Sequence, residues 1–287
     1  MGILPAASIA LNGGAGESRS SGRRTPGVRS GLLALAILLA VAVLAPPVGT
    51  LARRYAVAEA LQFAVLAVLV PALVVLGAPW RMGRAGGAVW ALRLADARRR
   101  HRSPARSVVL LAIYLAAVIG WRTPPAVDAL VRSAPLALLE AATLVGLGVL
   151  FWLEVVVSPP MVPRSGFPVR IAVTVIAMWT TWTIGYLLGM SHTAWFTAFV
   201  HTRSSGLSLS ADQQLAAGVL WVVPAMAYLP AVLVNLMSWL KDSEDADEEL
   251  RQLVRAERKR SWWGPSPPSA EVARSHRGRA GGTREAH

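Results

Sequence analysis

Hydrophobic residues in this chain come in long, nearly uncharged runs separated by short arginine-rich stretches. Six runs, at 31–49, 56–78, 107–121, 134–157, 168–190 and 213–240, come near the ~20 residues that a helix needs to cross a bilayer. The third is short for a span. The pattern predicts an all-α fold, a polytopic membrane helical bundle of about six transmembrane helices, with the transmembrane domain at 31–240. Pro71 falls inside the second run and Pro224 and Pro230 inside the last. Pro71 removes a helical hydrogen bond and favours a kink, which a bundle tolerates where neighbours cover the gap. Met178, Trp179 and Trp182 of the fifth run, with Thr180, Thr181 and Thr183, are expected to pack or hydrogen-bond within the bundle.

The flanks read differently. Residues 1–30 and 264–287 are polar, rich in glycine and arginine, and without apolar periodicity, so disorder is expected. Residues 241–263 turn from acidic to basic and carry one modest apolar face, Leu250, Leu253 and Val254. They are expected to extend the last helix as a charged segment and to touch anionic lipid. In the basic connection 79–106, the segment Val89–Leu94 fits either the lipid interface or a solvated loop. Positive charge before the first run raises a signal-peptide reading. The long tail, and Pro46-Pro47 after the small-residue site Ala42–Ala45, favour an uncleaved span.

Charge then sets the orientation. Of 29 Lys and Arg, 24 lie in 1–30, 79–106, 158–170 and 241–287. The other five are Arg53, Arg54, Arg122, Arg132 and Arg203. This split places both termini in the cytoplasm. It also accounts for the net charge of +13 without a nucleic-acid partner, the lipid bilayer being the expected surroundings. The chain has no cysteine, which excludes disulfides, cysteine-ligated zinc and thiol catalysis. No phosphate loop, no HExxH and no serine–histidine pair within one span is present, so an enzyme is not expected.

Charges inside spans are costly and mark candidate sites. Glu154 lies about one turn from the inner end of its run, where it can snorkel. Glu59 and Glu140 lie about 5 Å and 9 Å below the outer ends of theirs, at ~1.5 Å per residue. Gln62 shares a face with Glu59. The loop before the last run adds His192, His201 and Asp212, with Met190 beside it. Glu59, Glu140, His192 and His201 are therefore a candidate transition-metal set. The competing reading is that the two glutamates are protonated or paired, hold helices together and bind nothing.

Ser210 and Gln213 have the spacing of a capping box, and Asp212 would sit in the first helical turn, where a negative charge suits the dipole. The same stretch, Asp212-Gln213-Gln214-Leu215-Ala216-Ala217-Gly218-Val219-Leu220-Trp221, resembles the signature of the CtaG-like cytochrome c oxidase assembly proteins, a polytopic bacterial membrane family. Two further pieces agree in order, Pro71-Ala-Leu-Val-Val-Leu-Gly77-Ala-Pro79-Trp80 and Gly148-Val-Leu-Phe151-Trp152. The resemblance covers about residues 55–240. It implies a bacterial plasma-membrane location, a cytochrome c oxidase subunit as partner, and copper as the metal concerned. It marks Gln62, Asp212, Gln213 and Trp221 as family or client-contact positions. Members of the family carry His-x-x-x-His pairs near the outer helix ends. Matching through Gln62 puts Glu59 and Phe63 at one such pair; matching through Gly148 puts Ala137 and Ala141 at the other, beside Glu140. Neither helix contains histidine, so a four-histidine copper site is not available. A contact role is then expected, with the Asp212-Gln213 helix start facing the client or the bundle interior. A small-solute or metal-ion transporter is the alternative, and a scaffold working through its basic segments is a third reading. Transporters place polar groups near the midplane and often show inverted repeats; this chain has no visible repeat and its two glutamates sit toward one end.

Overall fold

The computed structural model describes residues 26–81, 85–100, 103–191, 193, 195–202 and 207–262. These form helices α1 (Pro26–Leu44), α2 (Val48–Leu51), α3 (Ala56–Ala64), α4 (Val70–Gly77), α5 (Ala85–Arg100), α6 (Pro104–Trp121), α7 (Pro124–Arg132), α8 (Ala134–Val155), α9 (Phe167–Met190), α10 (Ala198–Thr202) and α11 (Leu209–Trp262). A π-helical turn, Val65–Leu69, joins α3 to α4. No strand occurs among the described residues, and the fold is the expected all-helical one. Five stretches are long and apolar enough to cross a membrane, and a sixth is reached if Ala91–Arg100 and Ala105–Trp121 count as one broken span. Most of the tails expected to be disordered lie outside the described residues. Residues 26–30, however, already belong to α1.

Prolines punctuate the chain. Each of α6, α7, α8 and α9 has a proline in its first two positions, where the missing N–H costs nothing and the fixed φ suits a helix. The chain leaves α4 through Ala78, in the left-handed region at φ 49°, and Pro79 prevents continuation.

The helices alternate, so their ends collect at two poles. The α3 pole gathers the starts of α3, α8 and α11 with the ends of α6 and α9, plus α7 and α10. The α5 pole gathers the end of α4, α5, the end of α8 and the loop from Val156 to Gly166. At the α5 pole, Ser158 Oγ donates to the Val75 carbonyl at 2.6 Å and Trp80 Nε1 to the Pro159 carbonyl at 3.2 Å, which closes off the end of α4. Asn235 of α11 donates to the Val155 carbonyl at 3.3 Å.

Glu154 does not snorkel there. It is 1% exposed, bonded to Arg98 at 2.6 Å, Ser107 at 2.9 Å and the Arg164 backbone N–H at 3.3 Å. A carboxylate so thoroughly partnered gains nothing by reaching for water. Arg98 arrives on α5, where sequence left interface or loop open. Ala91, Ala95 and Arg98 form the buried stripe of that helix, while Val89, Leu92 and Leu94 are exposed.

The prolines also shape the core. Pro71 has no N–H for the carbonyl of Ala67, four residues back. That carbonyl accepts a hydrogen bond from the Tyr114 hydroxyl at 3.1 Å. Tyr114 and Tyr228 hydroxyls lie 2.9 Å apart; with Tyr114's single proton on the carbonyl, Tyr228 is the donor. Tyr114 stacks on Phe151 at 4.7 Å and Trp152 on Tyr228 at 5.6 Å. Gly148 lies directly over this break. A methyl group on it would sit 2.5 Å from Pro71 Cγ and 2.9 Å from the Ala67 oxygen.

Helices α9 and α11 approach as closely at Gly185, where a methyl would lie 2.6 Å from Trp221 Cδ1. Trp182 Nε1 donates to the Trp221 carbonyl at 3.1 Å and the two rings stack at 5.4 Å. The expectation that this group packs or hydrogen-bonds within the bundle holds for Met178 and Thr181, which are buried, and for Trp182, and fails for Trp179. Trp182 is partly buried, while Trp179 is 58% exposed on the lipid-facing side. Thr180 and Thr181 bond to carbonyls of their own helix. Beyond Trp239, α11 continues without burial to Lys259, so that the whole helix of 54 residues is ~81 Å long at ~1.5 Å per residue.

Candidate functional site

The α3 pole concentrates the polar groups singled out by sequence. Helix α3 opens after Tyr55, which offers no side-chain cap. Its first N–H groups need acceptors. Asp212, from the start of α11, supplies them: Ala56 N–H donates to Oδ2 at 2.8 Å and Val57 N–H to Oδ1 at 3.0 Å. Asp212 is fully buried. Its carboxylate thus serves the positive end of a helix 156 residues away in sequence, where the dipole favours negative charge.

The cap of α11 itself is Ser208, not the expected Ser210–Gln213 box. Ser208 Oγ accepts from Ala211 N–H at 3.1 Å, and its carbonyl accepts from Asp212 N–H at 3.0 Å. Gln213 is thereby free to tie the end of α9. Its amide donates to the Leu188 and Ser191 carbonyls at 2.9 and 3.0 Å and accepts from Trp195 N–H at 3.1 Å. The helix start faces the bundle interior. Trp221, in contrast, is 43% exposed.

One turn into α3, Glu59 forms a buried ion pair with Arg122, at the end of α6. The guanidinium lies over the rings of Phe63 and Phe196, 4.9 and 5.3 Å from their centroids. Sequence reasoning counted Arg122 only as a loop charge. Its neighbours in sequence carry no signal of the pairing, which depends on how α6 meets α3. Asp128 of α7 was likewise missed; it accepts from Thr197 Oγ1 at 2.5 Å and Ala198 N–H at 2.8 Å, and so caps α10.

Glu140, on α8, lines a cavity of about 210 Å³ together with Glu59 and Gln62. The structure therefore brings Glu59, Gln62 and Glu140 together. Oε1 of each glutamate, and Nε and Nη2 of Arg122, have no hydrogen-bond partner among the described residues. His192 lies outside the described residues. His201 falls on α10, but its side chain also lies outside them. Among the described residues, no three His, Cys, Asp or Glu side chains gather to hold a metal ion.

A sequence model of the cytochrome c oxidase caa3 assembly factor family, Caa3_CtaG, matches residues 13–242. The chain belongs to that family. No curated protein and no solved structure matches it. The family points to a non-catalytic role and to cytochrome c oxidase components as partners.

The fold gives the three signature pieces of this assembly factor a physical meaning: each ties helices together. Pro71 exposes the carbonyl that Tyr114 takes. Gly148 admits the Pro71 break, and Phe151 and Trp152 stack on the tyrosines. Asp212 and Gln213 fasten α11 to α3 and α9.

Among the described residues, the donor set does not fit copper. Of the four positions where the resemblance implies histidines, Glu59 and Phe63 hold the Arg122 guanidinium, and Ala137 and Ala141 have no donor atoms. A cuprous ion prefers soft thiolate or thioether ligands. Here it would meet carboxylates, one already neutralised by a fixed cation.

Proposed function

We propose that this protein serves oxidase assembly by contact, holding an oxidase component at the outer face of the bacterial plasma membrane, with the α3 pole outward. The observation that carries this reading is the Glu59–Arg122 pair, which commits the outer carboxylate of α3 to the chain's own cation. Copper-centre maturation would then be served by presenting the subunit rather than by delivering the ion. The transporter reading is not favoured: the buried charged groups sit at the two poles, and four aromatic rings, two stacked pairs that meet edge-on, fill the interior between them.

Orientation follows from the 24-to-5 distribution of Lys and Arg. A reporter fused after Arg203 is expected to read as external and one after His101 as cytoplasmic; a cytoplasmic signal at Arg203 would reverse the poles. Function is tested by deleting the gene in its own host. Active caa3-type oxidase is expected to fall while transcripts of its subunits stay level. Undiminished oxidase in the deletion strain would remove the assembly role.

A further inference from the structure

Glu59 has a counter-charge, but Glu140 has none within hydrogen-bond range among the described residues. It is 6% exposed, and no group donates to its Oε1. A carboxylate at this depth needs either a proton or a cation. The cavity that Glu140 lines gives a ligand access to it. At about 210 Å³ it has many times the ~10–15 Å³ that one water requires, so a bare ion would leave it largely unfilled. Its lining is aliphatic at Leu44, Leu130, Val131 and Leu138 and polar at Arg53, Glu59, Gln62 and Glu140. Aliphatic lining beside carboxylate acceptors complements a long side chain with a methylene stem and a cationic head.

We infer that this cavity is a socket for a lysine or arginine side chain of the partner polypeptide, its stem against the leucines and its head on Glu140. The inference rests on the contact role proposed above and names the chemistry of that contact. Arg53, exposed and lining the same cavity, is the chain's own competitor for the position.

The test is retention of caa3-type oxidase subunits by the affinity-tagged full-length chain, purified from membranes that contain the oxidase. Glu140→Gln is expected to lower retention by about tenfold or more, as loss of one member of a buried charge pair does. Glu140→Asp keeps the charge and retains an intermediate amount. Ala137→Leu fills the cavity without touching a charge and also lowers retention. Arg53→Gln retains at least as much as wild type. Thermal melting of Glu140→Gln stays at the wild-type value, because a neutral amide replaces the carboxylate in the same volume. Wild-type retention by both Glu140→Gln and Ala137→Leu would overturn the socket and leave the assembly role standing. So would an Arg53→Gln variant that melts lower and no longer responds to Glu140→Gln, since Arg53 would then be the occupant. No retention by the wild-type chain itself would overturn the contact role and the socket with it.

Discussion

Replacing Arg122 by alanine lowers the stability of the bundle by about 3–5 kcal/mol, the usual cost of leaving one member of a buried ion pair alone. The Arg122 side chain is 1% exposed and that of Glu59 8%, so water cannot take the place of the lost cation. The substitution also empties the space over Phe63 and Phe196 that the guanidinium fills. A double variant, Glu59→Leu with Arg122→Met, recovers most of the loss, because a buried pair replaced by apolar groups of similar size is often neutral. Thermal unfolding of the three proteins in one detergent checks both expectations. A single variant that melts with the wild type would mean that the pair holds nothing together.

Asp212→Ala is the second large effect. It removes two hydrogen bonds from a buried carboxylate to the first N–H groups of α3. Bonds to charged groups are worth roughly 1.5–3 kcal/mol each. A carboxylate acting on its own helix dipole contributes only ~0.3–1 kcal/mol. The loss is therefore expected to exceed 1 kcal/mol clearly, to appear in both melting temperature and oxidase level, and to be partly recovered by Asp212→Asn, which keeps one acceptor. A loss confined to the dipole range would show that α3 finds other acceptors.

These two residues also mark where sequence was legible. The apolar runs place the helices within about five residues at most ends, because bilayer thickness sets a minimum helix length; the end of the last run does not, since α11 continues to Trp262, and the short third run reaches a span only together with Ala91–Arg100. Pro71 announced a break in its helix, whereas the prolines that open α6 to α9 were not read as helix starts. Glu59 and Glu140 stood out because charge in a span is expensive, and the structure does bring them to one cavity. Asp212 stood out as well, but its local spacing suggested service to its own helix. Nothing near Asp212 in sequence reveals that α3 begins without a cap, since that partnership depends on how two distant helices meet. Arg122 was hidden for the same reason: at a span end, a snorkelling arginine and a buried one have identical neighbours. Glu154 erred the other way, since the α5 helix that brings Arg98 to it showed only as a basic connection.

What emerges is a bundle in which Asp212 and Gln213 face inward and fix the α3 pole, while an unpartnered carboxylate and a cavity remain beside it. On this account the outer pole works by shape and charge, not by carrying metal. The most direct test is copper supplementation of the deletion strain. The account predicts that added copper leaves active caa3-type oxidase low, while re-expression of the chain restores it. Full recovery with copper alone would contradict a contact role and assign the protein to metal supply.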